Sequence, residues 1–241
     1  MASRLREDIL TGRLKEGDVL PSQEALFAEF GVSPPAVREA IHILESDGLI
    51  SVRRGNVGGA VVHLPSAERT AQMIGMVLQT RAATPGDVSE ALLHLEPICA
   101  GMCAAREDRA TEVLPYLREA IDAQAEQFDT PSRYVPNARR FHEAIVSRCG
   151  NEPMILLIGS LEVIWSAHES AVWSDEFHPD DPMRPKTMRA ALRDHHRLLE
   201  AIADGNSAKA VRLAQDHLAA ARRNTLAAGS DKTIDAKLIS T

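Results

Sequence analysis

The stretch Val32-Ser33-Pro34-Pro35-Ala36-Val37-Arg38-Glu39-Ala40-Ile41-His42-Ile43-Leu44-Glu45-Ser46-Asp47-Gly48-Leu49-Ile50-Ser51-Val52 decides how the first part of this chain folds. Ser33 is a good N-cap. Pro34 suits the first helical position, where a backbone N–H would be unsatisfied anyway. Val37, Ile41 and Leu44 are spaced by four and three, so they line one face of a helix. Gly48 stops it. Leu49 to Val52 reads as a strand, Arg53 to Gly59 as a turn, and Ala60 to Val62 as the returning strand. Upstream, Leu5, Ile9 and Leu10 give a short amphipathic helix ended by Gly12. A turn follows at Lys15 to Asp18. Ser22 can cap a second helix carrying Ala25, Leu26 and Phe30, and Gly31 ends that one.

Helix, helix, tight turn, helix and hairpin form the winged helix-turn-helix arrangement, and its chemistry suits DNA. The third helix would enter the major groove with its first residues near base edges. Its amino end would favour a phosphate. Arg38, one turn in, can reach a phosphate or make two hydrogen bonds to guanine. Arg53 and Arg54 begin the wing, and Gly55, Gly58 and Gly59 let its backbone approach a duplex closely. Charge argues the other way: residues 1–64 carry 7 Lys+Arg against 9 Asp+Glu, so the overall basic footprint is missing.

The remainder of the chain reads differently. The 241 residues are 44% hydrophobic and 25% charged, with a net charge of −7, which is enough apolar material for a sizeable core. Aromatic residues make up only 4%, and frequent alanine favours closely packed helices. No apolar run is long enough to span a membrane, and the first residues lack the apolar core of a secretory signal. Three cysteines are too few for a disulfide framework, so a reducing cytoplasm is the expected setting. Pro65 followed by Ser66 marks a boundary. Residues 1–64 form one domain. Residues 66–228 form an all-α helical bundle, with helices near 67–82, 86–107, 109–127, 131–149, 152–174, 186–204 and 207–228. Ser174 to Pro185, with three prolines, reads as a loop. Residues 229–241 show no sustained period and read as a flexible tail.

Four histidines sit on apolar stripes of this second domain. His142 lies with Ile145 and Cys149, His168 with Leu161, Ile164 and Trp165, His195 with Leu192, Leu199 and Ile202, and His217 with Ala210, Ala214 and Ala221. Spacings of three, four and seven point each ring inward. His196 shares its face with Arg193 and Glu200 and points to solvent. A lone interior histidine is more often a hydrogen-bonded core residue than a ligand. Several on different helices are how bundles build metal and ligand sites. Cys99 and Cys103, four apart in an Ala-rich helix, read as small packing residues.

Two resemblances join these readings. Ile9 to Ser22, Val32 to Ile41, Leu44-Glu45, Asp47 to Ile50 and the wing Arg53 to Val62 resemble the GntR family of bacterial transcription regulators. The resemblance implies binding of a double-stranded DNA operator through Ser22, Gln23, Ser33, Ala36, Arg38, Arg53, Arg54 and Gly55. Family members often carry Arg two residues after the Pro-Ser pair and another just after the Ser that opens the third helix. Here those positions are Glu24 and Pro34, so the operator sequence does not carry over.

The second domain resembles the FCD ligand-binding domain of the FadR branch. The marks are Leu95-Glu96 with Ala100 and Ala104-Ala105, Phe141-His142 with Cys149-Gly150-Asn151, His195 with Glu200-Ala201-Ile202 and Gly205, and Ala210 with His217-Leu218. It implies a divalent metal, Zn or Ni, on His142, His195 and His217. The usual Asp, four residues before the first His, is Ala138 here, which weakens that expectation, and Asn137 points about 100° away. His168 and Asn137 are then the candidate effector contacts. The whole implies a homodimeric repressor of a metabolic operon, relieved by a small carboxylate effector and reading a palindromic site. Two alternatives stay open: a metal-dependent enzyme using the three-His site, and a helical interaction module that has lost DNA binding.

Overall fold

The computed structural model describes residues 1–53, 59–128, 131–172, 184–227 and 232–239. It falls into two compact units, Met1–Arg69 and Thr70–Thr241. The division lies a few residues beyond Pro65.

In the first unit, α1 (Ala2–Leu10), α2 (Gln23–Phe30) and α3 (Pro34–Ser46) precede a two-stranded antiparallel sheet, β1 (Ile50–Arg53) and β2 (Gly59–Val62). Its register pairs Ile50 with Val62 and Arg53 with Gly59. The core is the set that periodicity selects: Leu5, Ile9, Leu26, Val37, Ile41, Leu44, Leu49, Ile50 and Val62. Ser22 caps α2, accepting from the Ala25 N–H at 3.2 Å. Gly31 ends α2 at φ 63°, a left-handed conformation that glycine adopts without strain. Arg6 clamps Asp47 at the end of α3. His63 bridges Glu16 at 2.9 Å and Ser51 at 2.8 Å, so the strand pair is fixed to the turn between α1 and α2.

The second unit is helical: α4 (Ala67–Thr80), α5 (Pro85–Ala105), α6 (Arg109–Glu112), α7 (Leu114–Glu126), α8 (Pro131–Ser147), α9 (Glu152–Val172), α10 (Arg184–Ala203) and α11 (Ser207–Ala227). Its hydrophobic core runs through α5, α7, α8, α9, α10 and α11. The helix expected over 109–127 is interrupted at Val113, and Pro115 starts α7 afresh. Residues 174–183 of the expected loop lie outside the described residues, and Pro185 sits in the first turn of α10. Thr84 and Asp87 form a reciprocal capping box on α5. Two site-bearing helices contain interior prolines, Pro97 beside Glu96 and Pro136 beside Asn137. Each removes one rung of the helical ladder next to a site residue.

The flexible tail expected over 229–241 is corrected over 232–239. This segment lies against α4 and α9 and ends in a short 3₁₀ turn, Ala236–Ile239, with Ile234 and Ile239 buried. The Ile234 N–H donates to the Ala83 carbonyl at 2.8 Å, and the Ala236 N–H to Gln79 at 3.1 Å. Gly75 makes room, since a Cβ there would collide with the Ile239 side chain. Two apolar anchors five residues apart suffice, which is why no helical period announces the segment.

Candidate functional site

The surface of α3 is settled by its period. Val37, Ala40, Ile41 and Leu44 face the core, which leaves Ser33, Pro34, Pro35, Arg38, Glu39 and His42 exposed. Ala36 is half-buried and Gln23 exposed. Ser22 spends its side chain on the α2 cap, whereas Ser33 makes no capping bond. Arg53 pairs through its backbone with Gly59. Arg54 and Gly55 lie outside the described residues.

In the second unit α8, α10 and α11 bring His142, His195 and His217 together. His195 Nε2 lies 3.1 Å from His217 Nε2, which lies 3.3 Å from His142 Nε2. All three rings are buried. Their other nitrogens have partners. His142 Nδ1 is 2.6 Å from Glu96 Oε1, His195 Nδ1 is 2.8 Å from Gln124 Oε1, and His217 Nδ1 is 3.8 Å from Asp194. Phe141 stacks on His195 with ring centroids 4.2 Å apart.

These anchors dictate the proton positions. Glu96 and the Gln124 carbonyl oxygen can only accept, so His142 and His195 carry their protons on Nδ1. Both Nε2 atoms then face the centre, towards His217 Nε2. Burial, then the neighbouring rings, pushes His195 well below the ordinary imidazole range. Burial also lowers His217, although Asp194 opposes the shift. Burial works against the Glu96 charge, yet the field and hydrogen bond of His142, with Arg139 behind them, hold its pKa below the usual value. Imidazole nitrogens that converge while their opposite nitrogens are anchored are the donor set of a divalent metal. Nitrogens 2.0–2.1 Å from a tetrahedral ion lie about 3.3–3.4 Å apart, close to the observed spacings. The three residues fit the metal that the fold implies, and all three lie within mutual ligating distance.

A cavity of about 130 Å³ adjoins the cluster, walled by the three histidines with Arg139, Trp165 and Glu169. Ala138, where the family often has Asp, is also part of this wall. Asn137 is half-buried and is not among the lining residues. Sequence reasoning did not give Arg139 a role. It is only 5% exposed and pairs with Glu162 and Glu169 of α9. Glu96, Gln124 and Asp194 were equally unassigned. The signal for Glu96 was a carboxylate inside the apolar stripe of Leu92, Cys99 and Ala100.

The expectation for His168 is corrected. Its Nδ1–H donates to the Ile164 carbonyl at 2.8 Å, and its Nε2 accepts the Asp235 N–H at 3.1 Å. Nδ1 is used within α9 and Nε2 holds the C-terminal segment, and the ring does not join the cluster. Cys99, Cys103 and Cys149 are buried thiols, and desolvation pushes Cys103 up to about 12. They pack rather than react.

Comparison with known proteins places the chain. Residues 1–61 match the family model "Bacterial regulatory proteins, gntR family", and residues 87–220 match "FCD domain". The HTH-type transcriptional repressor NanR of Klebsiella aerogenes is 25% identical over 234 residues, covering 95% of this chain and 85% of that protein. The HTH-type transcriptional regulator Mce2R of Mycobacterium tuberculosis is 27% identical over 232 residues, covering 93% and 89%. A Streptococcus agalactiae GntR structure superposes with a TM-score of 0.70 at 21% identity, covering 92% and 97%, which supports the fold. The chain belongs to the GntR family, with a winged helix-turn-helix domain followed by an FCD domain. It is a ligand-responsive DNA-binding transcription regulator. Among the described residues no helix is long and apolar enough to cross a membrane.

Proposed function

We propose that this regulator is a homodimeric repressor of a metabolic operon, released from a palindromic operator when a small carboxylate occupies the cavity beside His142, His195 and His217. The observation that carries the reading is the cluster itself. Three Nε2 atoms converge while Glu96, Gln124 and Asp194 orient the opposite nitrogens. A bound divalent metal would supply a positive charge and an open coordination position for a carboxylate oxygen. His142, His195 and His217 would hold it. Trp165 and several alanines form the apolar part of the wall, and Arg139, braced by Glu162 and Glu169, gives the cavity a fixed guanidinium. On the DNA side, Arg38 contacts the duplex from α3, with Ser22, Gln23, Ser33, Ala36, Arg53, Arg54 and Gly55 as further contacts. An effector acts only through different affinities for the DNA-competent and released states. The relatives NanR and Mce2R are transcription regulators, which favours binding over turnover.

The test joins metal analysis to function. The purified protein should carry or take up Zn or Ni at one ion per chain, and a chelator should remove it. His195→Ala should abolish uptake and effector response while DNA affinity falls less than about threefold. Replacing the adjacent, exposed His196 by Ala should change neither. Equal metal uptake by His195→Ala and wild type would overturn the site.

A further inference from the structure

The amino end of α3 is poor in hydrogen-bond donors. A helix normally offers unpaired N–H groups in its first turn. Here the first two helical positions are Pro34 and Pro35, which have none. The Val37 N–H is taken by the Ser33 carbonyl at 3.1 Å. Ala36 is left as the sole first-turn backbone donor beyond the cap. The phosphate affinity expected of this helix end is correspondingly reduced. In place of donors the helix presents two exposed pyrrolidine rings. Arg38, also exposed, follows one turn on, four residues after Pro34 and three after Pro35.

Saturated rings discriminate among base edges. Pressed against guanine N7 and O6 or cytosine N4, they strip water from polar atoms and return no hydrogen bond. Against thymine they meet the 5-methyl group, which is apolar already. We propose that Pro34 and Pro35 are specificity-determining residues that select thymine in the operator by packing on its 5-methyl groups. The inference rests on the reading that α3 docks in the major groove and adds what its first turn recognises. Arg38, one turn on, then reads guanine or phosphate beside those thymines.

The experiment uses the full-length protein and a duplex selected by it from random DNA. Each thymine of a half-site is replaced in turn by deoxyuridine, which lacks only the methyl. One or two adjacent positions should lose about fourfold in affinity each, the value of about 0.8 kcal/mol per buried methyl-sized group. All other positions should be silent. In the double variant Pro34→Ala/Pro35→Ala, checked for helix content by circular dichroism, the thymine-to-uridine ratio at those positions should collapse to about one. Three results overturn the proposal: a flat uridine scan of the wild type, an unchanged ratio in the double variant, or selected half-sites with only G·C pairs where α3 protects. Arg38→Ala separates the levels. If it weakens binding tenfold while the scan is flat, α3 docks and only the proline inference falls. If it also does nothing, the docking of α3 falls with it.

Discussion

The two units of this chain are organised by opposite means. In the first, much of the structure follows from neighbours in sequence: Ser22 three residues from the N–H it caps, Gly31 and Gly48 at helix ends, β1 followed in the chain by its partner β2. In the second, the functional cluster is assembled from Glu96, Gln124, His142, His195 and His217, spread over more than a hundred residues. A locally coded unit can present a surface. A site built from five helices can bury charge and respond to what enters it. The contrast predicts that core loss dominates the energetics of the first unit and unpaired charge those of the second.

The largest effect expected is for Arg139→Met. It leaves the buried Glu162 without the Arg139 cation and removes the Arg139 pairing of Glu169, and breaking a buried ion pair from one side costs about 3–5 kcal/mol. Urea unfolding followed by tryptophan fluorescence reads it, since Trp165 lies in the same wall. Adding Glu162→Leu and Glu169→Leu should recover most of that loss. A triple variant as unstable as the single one would show that shape, not charge, is what Arg139 provides.

Next is Leu44→Ala in the first unit. Leu44 is fully buried between α3 and the strands, and such truncations cost about 2–5 kcal/mol. Chemical denaturation of the variant should show it, together with lost DNA binding. The smallest effect belongs to the capping box. Thr84→Ala removes the hydroxyl that accepts from the Asp87 N–H and donates to its carboxylate, worth about 1 kcal/mol, readable as a shift in the urea midpoint. Its pH dependence has a definite sign. Hydrogen bonds from the Thr84 backbone and side chain hold the Asp87 carboxyl below its ordinary value. A depressed carboxyl contributes stability that is present above the unfolded-state pKa and lost as pH falls through the folded one. The gap between wild type and Thr84→Ala should therefore narrow as pH falls below about 4. A constant gap across that range would detach the box from Asp87 ionisation.

The same contrast explains what could be read in advance. Ser33, Gly48 and the period of Val37, Ile41 and Leu44 announce α3 because caps and periods are local. His142, His195 and His217 were legible as inward rings on three helices, and their meeting is a matter of helix packing. Glu96, Gln124 and Asp194 escaped because a hydrogen bond between residues 46 or 71 positions apart leaves no mark on spacing. Arg139 escaped because a charged residue one step from Ala138 reads as surface until Glu162 and Glu169 are placed beside it. His168 misled for the reverse reason. Its stripe was read correctly as buried, but its partner is the Asp235 N–H, from a segment without a pattern.

That C-terminal segment sets an order on synthesis. Ala236 closes onto Gln79 across 157 residues, and Asp235 onto His168 across 67. Contacts of such separation form late, because a long loop must close before they repay its entropy. Helix α4, made first in its unit, thus waits for residues 232–239 to cover Gly75. A nascent chain paused before residue 232 carries an uncovered apolar groove, and chaperone contact in that interval would fall on α4.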